Sequence, residues 1–252
     1  MDDMYDLKGQ VAIVTGGNGG IGFGIASGFA RAGASVIIAA RNKQKTVKAV
    51  AAIEGFGVKA MGISTDVEDE SSVRAMVAEA TAAFGVVDIL VNNAGIGMAK
   101  PPQDFTLDEW NRVINTNLTG AFLCSREVYP HMVKAGGGRI INIGSMYSIF
   151  GSEVAASYAA SKAGVVQLTK SLALAWAKDN IRVNCILPGW IHTDLTARAR
   201  ATGKYEAIDS RIPLVRWGEP DDLAGAAVFL SSRASGYVTG VSLPVDGGYS
   251  SI

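Results

Sequence analysis

Hydrophobic and polar positions follow two alternating patterns along the chain. Short runs rich in β-branched residues recur between longer alanine-rich segments that have the period of an amphipathic helix. Continuous apolar runs are typical of parallel strands buried on both faces, and the helical segments would supply the crossovers between them. The pattern therefore predicts an α/β fold with one doubly wound, parallel, seven-stranded sheet and helices on both faces.

The elements can be assigned from this pattern. The predicted strands are Val11–Thr15, Val36–Ala40, Val58–Ser64, Ile89–Asn92, Ile140–Ile143, Arg182–Leu187 and Val241–Val245. The predicted helices lie near Ile21–Ala32, Lys43–Glu54, Glu70–Phe84, Leu107–Lys134, Ser157–Lys178 and Asp221–Leu230. No repeat or linker interrupts this alternation, so residues 1–252 are expected to form a single domain.

Residues 188–213 depart from the alternation because they show no strand period. A connection of this length in a compact domain is often a lid over a site. It carries four basic residues, Arg198, Arg200, Lys204 and Arg211. The stretch is therefore expected to form a substrate lid.

The composition narrows the classes of partner. The 252 residues are 48% hydrophobic, and 23 basic side chains balance 23 acidic ones. No overall field attracts nucleic acid or an anionic membrane, so a small-molecule partner is expected. The uncharged stretch 11–30 contains seven glycines, which makes it poor as a spanning helix.

The cysteines, the histidines and the N-terminus indicate a cytoplasmic protein without a metal site. Cys124 and Cys185 give no disulfide framework, and His131 and His192 lie too far apart to suggest metal ligands. The N-terminus is acidic and lacks the pattern of a secretory signal. We therefore expect a cytoplasmic location.

A glycine-rich loop, Gly16 to Gly22, follows the first predicted strand. Glycines allow the backbone to turn tightly and approach a diphosphate, whose charge the amides and dipole of the next helix then receive. The loop therefore indicates nucleotide binding, with a merely tight turn as the alternative. A Gly-x-Gly-x-x-Gly pattern also fits Gly17, Gly19 and Gly22, so local sequence leaves the register of the glycines open.

The end of the second strand bears on which nucleotide binds. It reads Ala39-Ala40-Arg41-Asn42 and lacks the acidic residue that would hydrogen-bond an adenosine ribose 2′-hydroxyl. Arg41 instead offers a planar fork for a 2′-phosphate. NADP(H) is therefore favoured and NAD(H) is the alternative. If Arg41 is simply a solvated charge at the strand end, it does not bear on the choice of cofactor.

Tyr158 and Lys162 form a Tyr-x-x-x-Lys pair on a predicted helix. Residues four apart share a helix face, so the phenol and the ammonium can point into one cleft. A tyrosine hydroxyl titrates near 10, and a fixed positive charge beside it is expected to lower that pKa. The alternative is a surface aromatic beside a solvated lysine.

Taken together, the motifs resemble those of the short-chain dehydrogenase/reductase family. The matching features, in order, are Thr15-Gly16-x-x-x-Gly20-x-Gly22, Asn92-Asn93-Ala94-Gly95, Asn117, Ser145, Tyr158-x-x-x-Lys162 and Pro188-Gly189. The resemblance spans residues 7–249 and implies a single-domain, Rossmann-type oxidoreductase. It also implies that Gly16, Gly20 and Gly22 are the functional glycines. One departure is that Asn18 and Gly19 stand where many NADP-preferring members carry a basic residue.

The resemblance also implies a role for each matched catalytic residue. Tyr158 would exchange the substrate proton, and Ser145 would hydrogen-bond the reacting oxygen. Lys162 would lower the Tyr158 pKa and bind the nicotinamide ribose, and Asn117 would hold a water that connects Lys162 to solvent. Purely structural roles remain open for two of these residues. Ser145 could cap the segment after its strand, and Asn117 could lie in a helix bend.

The implied cofactor contacts are spread over five loops and one helix. They are Gly16, Asn18, Gly20, Ile21, Gly22, Arg41, Asp66, Val67, Asn93, Ala94, Gly95, Tyr158, Lys162, Pro188, Gly189, Ile191 and Thr193. Asp66 and Val67 would contact the adenine, and Ile191 and Thr193 would place the nicotinamide. Asn92 is expected to have a structural role, tying strand ends together.

The sequence says least about the substrate. An apolar wall is suggested by Met98, Met146, Tyr147, Phe150 and Trp190, whereas the arginines of the predicted lid could receive a carboxylate. The chain is similar to gluconate and deoxygluconate dehydrogenases and also to 3-oxoacyl carrier-protein reductases. We expect an alcohol or ketone of a small polar or acidic carbohydrate, with a 3-oxoacyl or broad ketone as the alternative. A nucleotide-binding regulator without turnover is the alternative of another class.

The helices near Leu107–Lys134 and Ser157–Lys178 have alanine-rich outer faces that resemble those that pair in this family. Symmetric assembly would bury such faces. A homotetramer is therefore expected.

Overall fold

A seven-stranded parallel sheet forms the centre of the protein, in the order β3-β2-β1-β4-β5-β6-β7. The computed structural model describes residues 4–197 and 208–251. The strands are β1 (Val11–Thr15), β2 (Ser35–Ala39), β3 (Ala60–Ile63), β4 (Ile89–Asn92), β5 (Gly138–Ile143), β6 (Ile181–Pro188) and β7 (Ser242–Val245). The prediction of a doubly wound α/β fold is confirmed.

Helices cover both faces of the sheet. They are α1 (Gly20–Arg31), α2 (Lys43–Glu54), α3 (Glu70–Phe84), α4 (Leu107–Ile114), α5 (Gly120–Lys134), α6 (Ala156–Trp176) and α7 (Ala224–Ser231). Successive side chains of β1 point to opposite faces, so Ile13 packs in the core with α3, α5 and α6. Val14 packs in the other core, with α1 and α7.

One predicted helix is interrupted in the structure. Instead of a continuous helix near Leu107–Lys134, α4 and α5 are separated by the π-helical turn Asn115–Thr119. The sequence pattern missed the turn because apolar positions recur on both sides of it. Gly120 follows the turn, and a Cβ atom there would lie 2.9 Å from Cγ2 of Val67. Glycine at this position thus permits the close approach of α5 to the loop after β3.

The strand order reverses at β1, which pairs with β2 on one side and β4 on the other. In open parallel sheets, such a reversal leaves a crevice at the carboxyl ends of the strands. None of the helices within residues 4–197 and 208–251 has the length and apolar character needed to cross a membrane.

Candidate active site

A cavity of about 550 Å³ opens at the carboxyl ends of β1 and β4. It brings together most of the predicted site residues from distant parts of the sequence. They are Gly16, Asn18, Gly20, Ile21, Asn93, Ala94, Gly95, Ser145, Tyr158, Lys162, Pro188, Gly189, Ile191 and Thr193. Five predicted residues, Gly22, Arg41, Asp66, Val67 and Asn117, lie outside its lining.

Asn93 braces the glycine loop from behind. Its Nδ2 donates to the carbonyl oxygens of Thr15 at 2.9 Å and Gly16 at 3.2 Å. A Cβ atom on Gly22 would lie 2.4 Å from the same Nδ2, and Gly16 has a positive φ of 64°. Glycine is therefore required at Gly22 to leave room for the Asn93 side chain, and it is favoured at Gly16 because of the positive φ. Gly22 therefore shapes the loop although it does not line the cavity.

The loop leads directly into the N-terminus of α1. Residues at this end leave backbone N–H groups without helical partners, and the first turn carries no acidic side chain. Gly19, the residue before the helix, would have nothing within 4 Å of an added Cβ, so its backbone faces open space. These features fit a bound diphosphate.

Arg41 and Asp66 lie next to each other at the ends of β2 and β3. Arg41 Nη1 is 3.8 Å from Asp66 Oδ2, and the Arg41 side chain is 57% exposed. Its donors are thus accessible to a phosphate beside the cavity. Val67 is buried, so little of its surface is exposed for the predicted adenine contact.

Asn18 ties the glycine loop to the start of α2. Its Nδ2 donates to the carbonyl oxygen of Asn42 at 3.3 Å and to the Thr46 hydroxyl at 3.1 Å. Nearby, Lys45 Nζ is 3.0 Å from Asp194 Oδ2, and both residues line the cavity. Sequence reasoning missed both residues of this ion pair, although Lys45 lies four positions after Arg41.

Ser145 lies just beyond β5 and has a visible structural role. Its Oγ accepts a hydrogen bond of 3.1 Å from the Tyr147 N–H and caps the 3₁₀ turn Met146–Ser148. Ser148 in turn donates through its hydroxyl to the Lys162 carbonyl at 2.8 Å. The capping role does not exclude a catalytic one, because Ser145 also lines the cavity beside Tyr158.

Tyr158 and Lys162 occupy successive turns of α6, as their spacing predicts. Lys162 Nζ lies 5.7 Å from the centre of the Tyr158 ring and donates a 2.7 Å hydrogen bond to the Ile143 carbonyl. Burial raises the pKa of Tyr158 to about 12, and an interaction with the Ser145 hydroxyl only partly opposes it. Burial also lowers the pKa of Lys162 to about 8.

The expected lowering of the Tyr158 pKa by Lys162 is therefore not what the isolated chain shows. The lysine ammonium is turned to the Ile143 carbonyl, and removal of the phenol from water has the larger effect. A neutral phenol and a buried ammonium are the stable states at neutral pH.

The Asn117 side chain is occupied by structural contacts. Its Oδ1 accepts from Ile96 N–H at 2.8 Å, and its Nδ2 donates to the Ile96 carbonyl and the Ser161 hydroxyl, each at 2.9 Å. Asn117 belongs to the π-helical turn, as the helix-bend alternative anticipated. It ties the loop after β4 to α6, where Tyr158 and Lys162 lie.

Asn92 makes the tie between strands that the sequence suggested. Its Nδ2 donates to Oδ1 of Asn142 at 2.8 Å and to the Ser125 hydroxyl at 2.9 Å. These bonds connect β4, β5 and α5.

A second cavity, of about 410 Å³, is lined by Tyr147, whose ring packs edge-on against the Tyr158 ring. Four of the predicted wall residues line it, namely Met146, Tyr147, Phe150 and Trp190, but Met98 does not. Arg211 of the predicted lid lines it as well. Arg198, Arg200 and Lys204 lie outside the described residues.

Similar proteins support this arrangement. A family model described as enoyl-(acyl carrier protein) reductase matches residues 16–250. The chain is 41% identical over 249 residues to a 2-dehydro-3-deoxy-D-gluconate 5-dehydrogenase of Formosa agariphila, covering 98% of this chain and 94% of that protein. It is also 41% identical over 242 residues to a 3-oxoacyl-(acyl carrier protein) reductase of Chlamydia pneumoniae, covering 96% and 97% of the two chains.

A solved relative has nearly the same fold. The gluconate 5-dehydrogenase of Burkholderia cenocepacia, in complex with NADP and tartrate, superposes with a TM-score of 0.95 and is 39% identical. The match covers 99% of this chain and 98% of that one. Sequence, fold and relatives thus agree, and the chain belongs to the short-chain dehydrogenase/reductase family of NAD(P)-dependent oxidoreductases.

Proposed function

We propose that this protein uses NADP(H) to interconvert a secondary alcohol and a ketone on a sugar acid. The observation that carries the proposal is the convergence of Ser145, Tyr158 and Lys162 on the cavity that the glycine loop also lines. The names of the similar gluconate and deoxygluconate dehydrogenases support the substrate class.

The residues present fit a dinucleotide cofactor. The glycine loop and the start of α1 would hold the diphosphate, and Arg41 would bind the 2′-phosphate through its exposed guanidinium. Pro188, Gly189, Ile191 and Thr193 border the deep end of the cavity with the catalytic residues. When bound there, the cofactor supplies or accepts the hydride.

Tyr158 and Ser145 would act on the substrate oxygen. Tyr158, neutral at pH 7, donates a proton in ketone reduction and accepts one in alcohol oxidation. The Ser145 hydroxyl donates a hydrogen bond to the oxygen as its negative charge develops, which stabilises the transition state more than the ground state.

Lys162 would act by its charge and its position. Turning its ammonium from the Ile143 carbonyl towards the cofactor ribose and Tyr158 would favour the phenolate. Asn117 supports this by fixing α6 and the loop after β4, and it would also hold the water that connects Lys162 to solvent.

Reduction of a 3-oxoacyl group is the second candidate function. The reductase of Chlamydia pneumoniae is as similar in sequence as the sugar-acid enzyme, and the catalytic residues would serve either substrate. A non-catalytic regulator is the candidate of another class, and the intact Ser145, Tyr158 and Lys162 argue against it.

Replacing Tyr158 with Phe tests the reaction. The variant keeps the ring and its packing but loses the exchangeable proton, so the hydride step should slow at least about a hundredfold. NADPH binding, measured by fluorescence titration, should change by less than about 1 kcal/mol. Stopped-flow absorbance of NADPH gives the rate, and a variant that retains most of its turnover would exclude the mechanism.

A substrate panel tests the specificity. Wild-type protein should turn over gluconate or keto-gluconate with NADP(H) more efficiently than β-ketoesters or aryl ketones. A preference for β-ketoesters would replace the sugar acid with the second candidate, and no turnover of any member would favour the regulator.

We also propose that residues 1–252 form a single domain, because both hydrophobic cores are built on the same sheet. Residues 188–213 would act as the substrate lid, since the segment begins with residues that line the catalytic cavity. The buried, unpaired Cys124 and Cys185 are compatible with the predicted cytoplasmic location. Exposed apolar side chains on α5 and α6, among them Phe122 and Leu174, support a homotetramer.

A further inference from the structure

The second cavity is lined by both aromatic and polar side chains. Beside the aromatic wall, Arg211, Ser152 and Glu153 contribute to its lining. A volume of about 410 Å³ is within the range of small-ligand sites. The cavity could therefore hold the part of a substrate that does not react.

Arg211 stacks on an aromatic ring that also lines this cavity. Its guanidinium carbon lies 4.5 Å from the centre of the Tyr249 ring, and the Tyr249 side chain is buried. Phe150 packs edge-on against the same ring at 6.3 Å between centroids. Stacking uses one face of the guanidinium and leaves the N–H groups at its edge free to bind a planar anion.

The charge of Arg211 is not neutralised by any carboxylate of residues 4–197 and 208–251. Arg216, five residues later, shows the contrasting arrangement. Its Nη1 and Nη2 bind both oxygens of Asp222, at 2.7 and 2.9 Å. Arg211 thus lines the cavity with an available bidentate donor, whereas Arg216 is committed to a structural ion pair.

Tyr147 lines this cavity and also packs next to Tyr158. Its ring packs edge-on against Tyr158 at 6.2 Å and against Trp190 at 6.3 Å between centroids. A ligand of five or six carbons could therefore reach from Tyr158, past Tyr147, towards Arg211. Tyr147 and Ser152 both line the cavity, and hydroxyl groups such as theirs can hydrogen-bond to a polyol.

We propose that Arg211 binds the carboxylate of the substrate and so selects sugar acids over uncharged sugars and acyl chains. The inference rests on the proposed function. It adds which residue recognises the end of the substrate that lies away from the reacting carbon. Glu153 shares the cavity and repels a second anion, so it favours hydroxyl groups on its side and an orientation with the carboxylate at Arg211.

Gluconate and sorbitol form a matched pair of ligands for the test, because they differ in a carboxylate or a hydroxymethyl group at one end. Binding of each would be measured as competitive inhibition of NADPH-dependent reduction of whichever ketone the wild-type protein accepts best. Arg211→Met keeps an unbranched apolar stem and removes the charge, and Arg211→Lys keeps the charge without the planar fork.

The wild-type protein should bind gluconate more tightly than sorbitol. In Arg211→Met, the inhibition constant for gluconate should rise ten- to a hundredfold, the range expected for a lost charge-assisted hydrogen bond, while that for sorbitol should change less than threefold. Arg211→Lys should recover only part of the loss. Arg74→Ala, on the outer surface of α3, is the control and should leave both constants unchanged.

The outcomes separate this inference from the proposed function. If gluconate inhibition does not depend on Arg211, or if the wild-type protein does not prefer gluconate to sorbitol, the carboxylate assignment is wrong. The proposed function is decided separately, by whether wild-type protein turns over sugar acids. An equal loss of gluconate and sorbitol binding would mean that Arg211 only maintains the shape of the cavity, which also overturns the assignment.

Discussion

Replacing Lys162 with Met should change the pH dependence of stability in a way that can be predicted from its burial. The side chain is 4% exposed, and its pKa falls from the usual 10.5 to about 8 because burial disfavours the ammonium. Methionine has a similar length and no charge, so it removes this penalty.

The sign follows from proton binding. Between about pH 8 and 10.5, the unfolded chain holds a proton on Lys162 that the folded chain has released, so the wild-type protein gains stability as pH rises. Below pH 8, Lys162 is protonated in both the folded and the unfolded chain, so burial of its ammonium destabilises the folded state to the full extent. A pKa lowered by about 2.5 corresponds to about 3 kcal/mol.

The absolute stability of the variant has two opposing contributions. Removing the buried charge stabilises it, but the Ile143 carbonyl loses its hydrogen bond, which costs about 1–3 kcal/mol. The pH dependence avoids this ambiguity because the lost hydrogen bond costs nearly the same at each pH. The unfolding free energy of Lys162→Met minus that of the wild-type protein should therefore fall by about 3 kcal/mol between pH 7 and 10.5.

The assay is denaturant unfolding of both proteins without cofactor, at one protein concentration and at half-unit steps of pH. The quantity of interest is the difference in unfolding free energy, because groups that do not interact with Lys162 titrate alike in both proteins and cancel. Cys185 does interact with Lys162, but burial raises the pKa of its thiol to about 11, above the range measured. A difference that does not vary with pH would refute the conclusion that burial lowers the pKa of Lys162. The proposed binding of the cofactor ribose by Lys162 would be tested separately.

Three further predictions concern the cofactor site and assembly. Arg41→Asp should lower the efficiency with NADPH tenfold or more, since a charged hydrogen bond is worth about 1.5–3 kcal/mol, and wild-type protein that works better with NADH would contradict this. Gly22→Ala should weaken NADPH binding and destabilise the protein by about 1–3 kcal/mol in thermal unfolding, because the new methyl group meets Asn93. Gly225→Ala, which would have nothing within 4 Å of its Cβ, is the matched control. Light scattering at micromolar concentration should show a tetramer, and a stable monomer would contradict the assembly.

Several elements could be predicted to the residue from sequence. Strands β1 and β4 and helices α2 and α3 have the predicted ends. Local chemistry explains the helices, since Asn42 and Asp69 cap their first turns and Gly85 ends α3 in a left-handed conformation. These signals act over three or four residues, so no tertiary contact is needed to place them.

The break between α4 and α5 depends on contacts that the sequence pattern does not contain. Asn117 is fixed by hydrogen bonds to Ile96 and Ser161, which lie 21 and 44 residues away in sequence. The pairing of Tyr158 with Lys162 followed from spacing alone, but the direction of the Tyr158 pKa did not. That direction depends on how much water the surrounding chain excludes, a property of the folded state.

The ion pair between Lys45 and Asp194 has a consequence for the rate at which ligands enter and leave. Both residues line the cavity of the candidate active site, yet their side chains are 58% and 95% exposed. An exposed pair of this kind contributes at most about 1 kcal/mol, so thermal motion opens it far faster than a dinucleotide diffuses in. Such a weak ion pair adds almost nothing to the free-energy barrier for cofactor release. This suits an enzyme that exchanges its cofactor in every cycle.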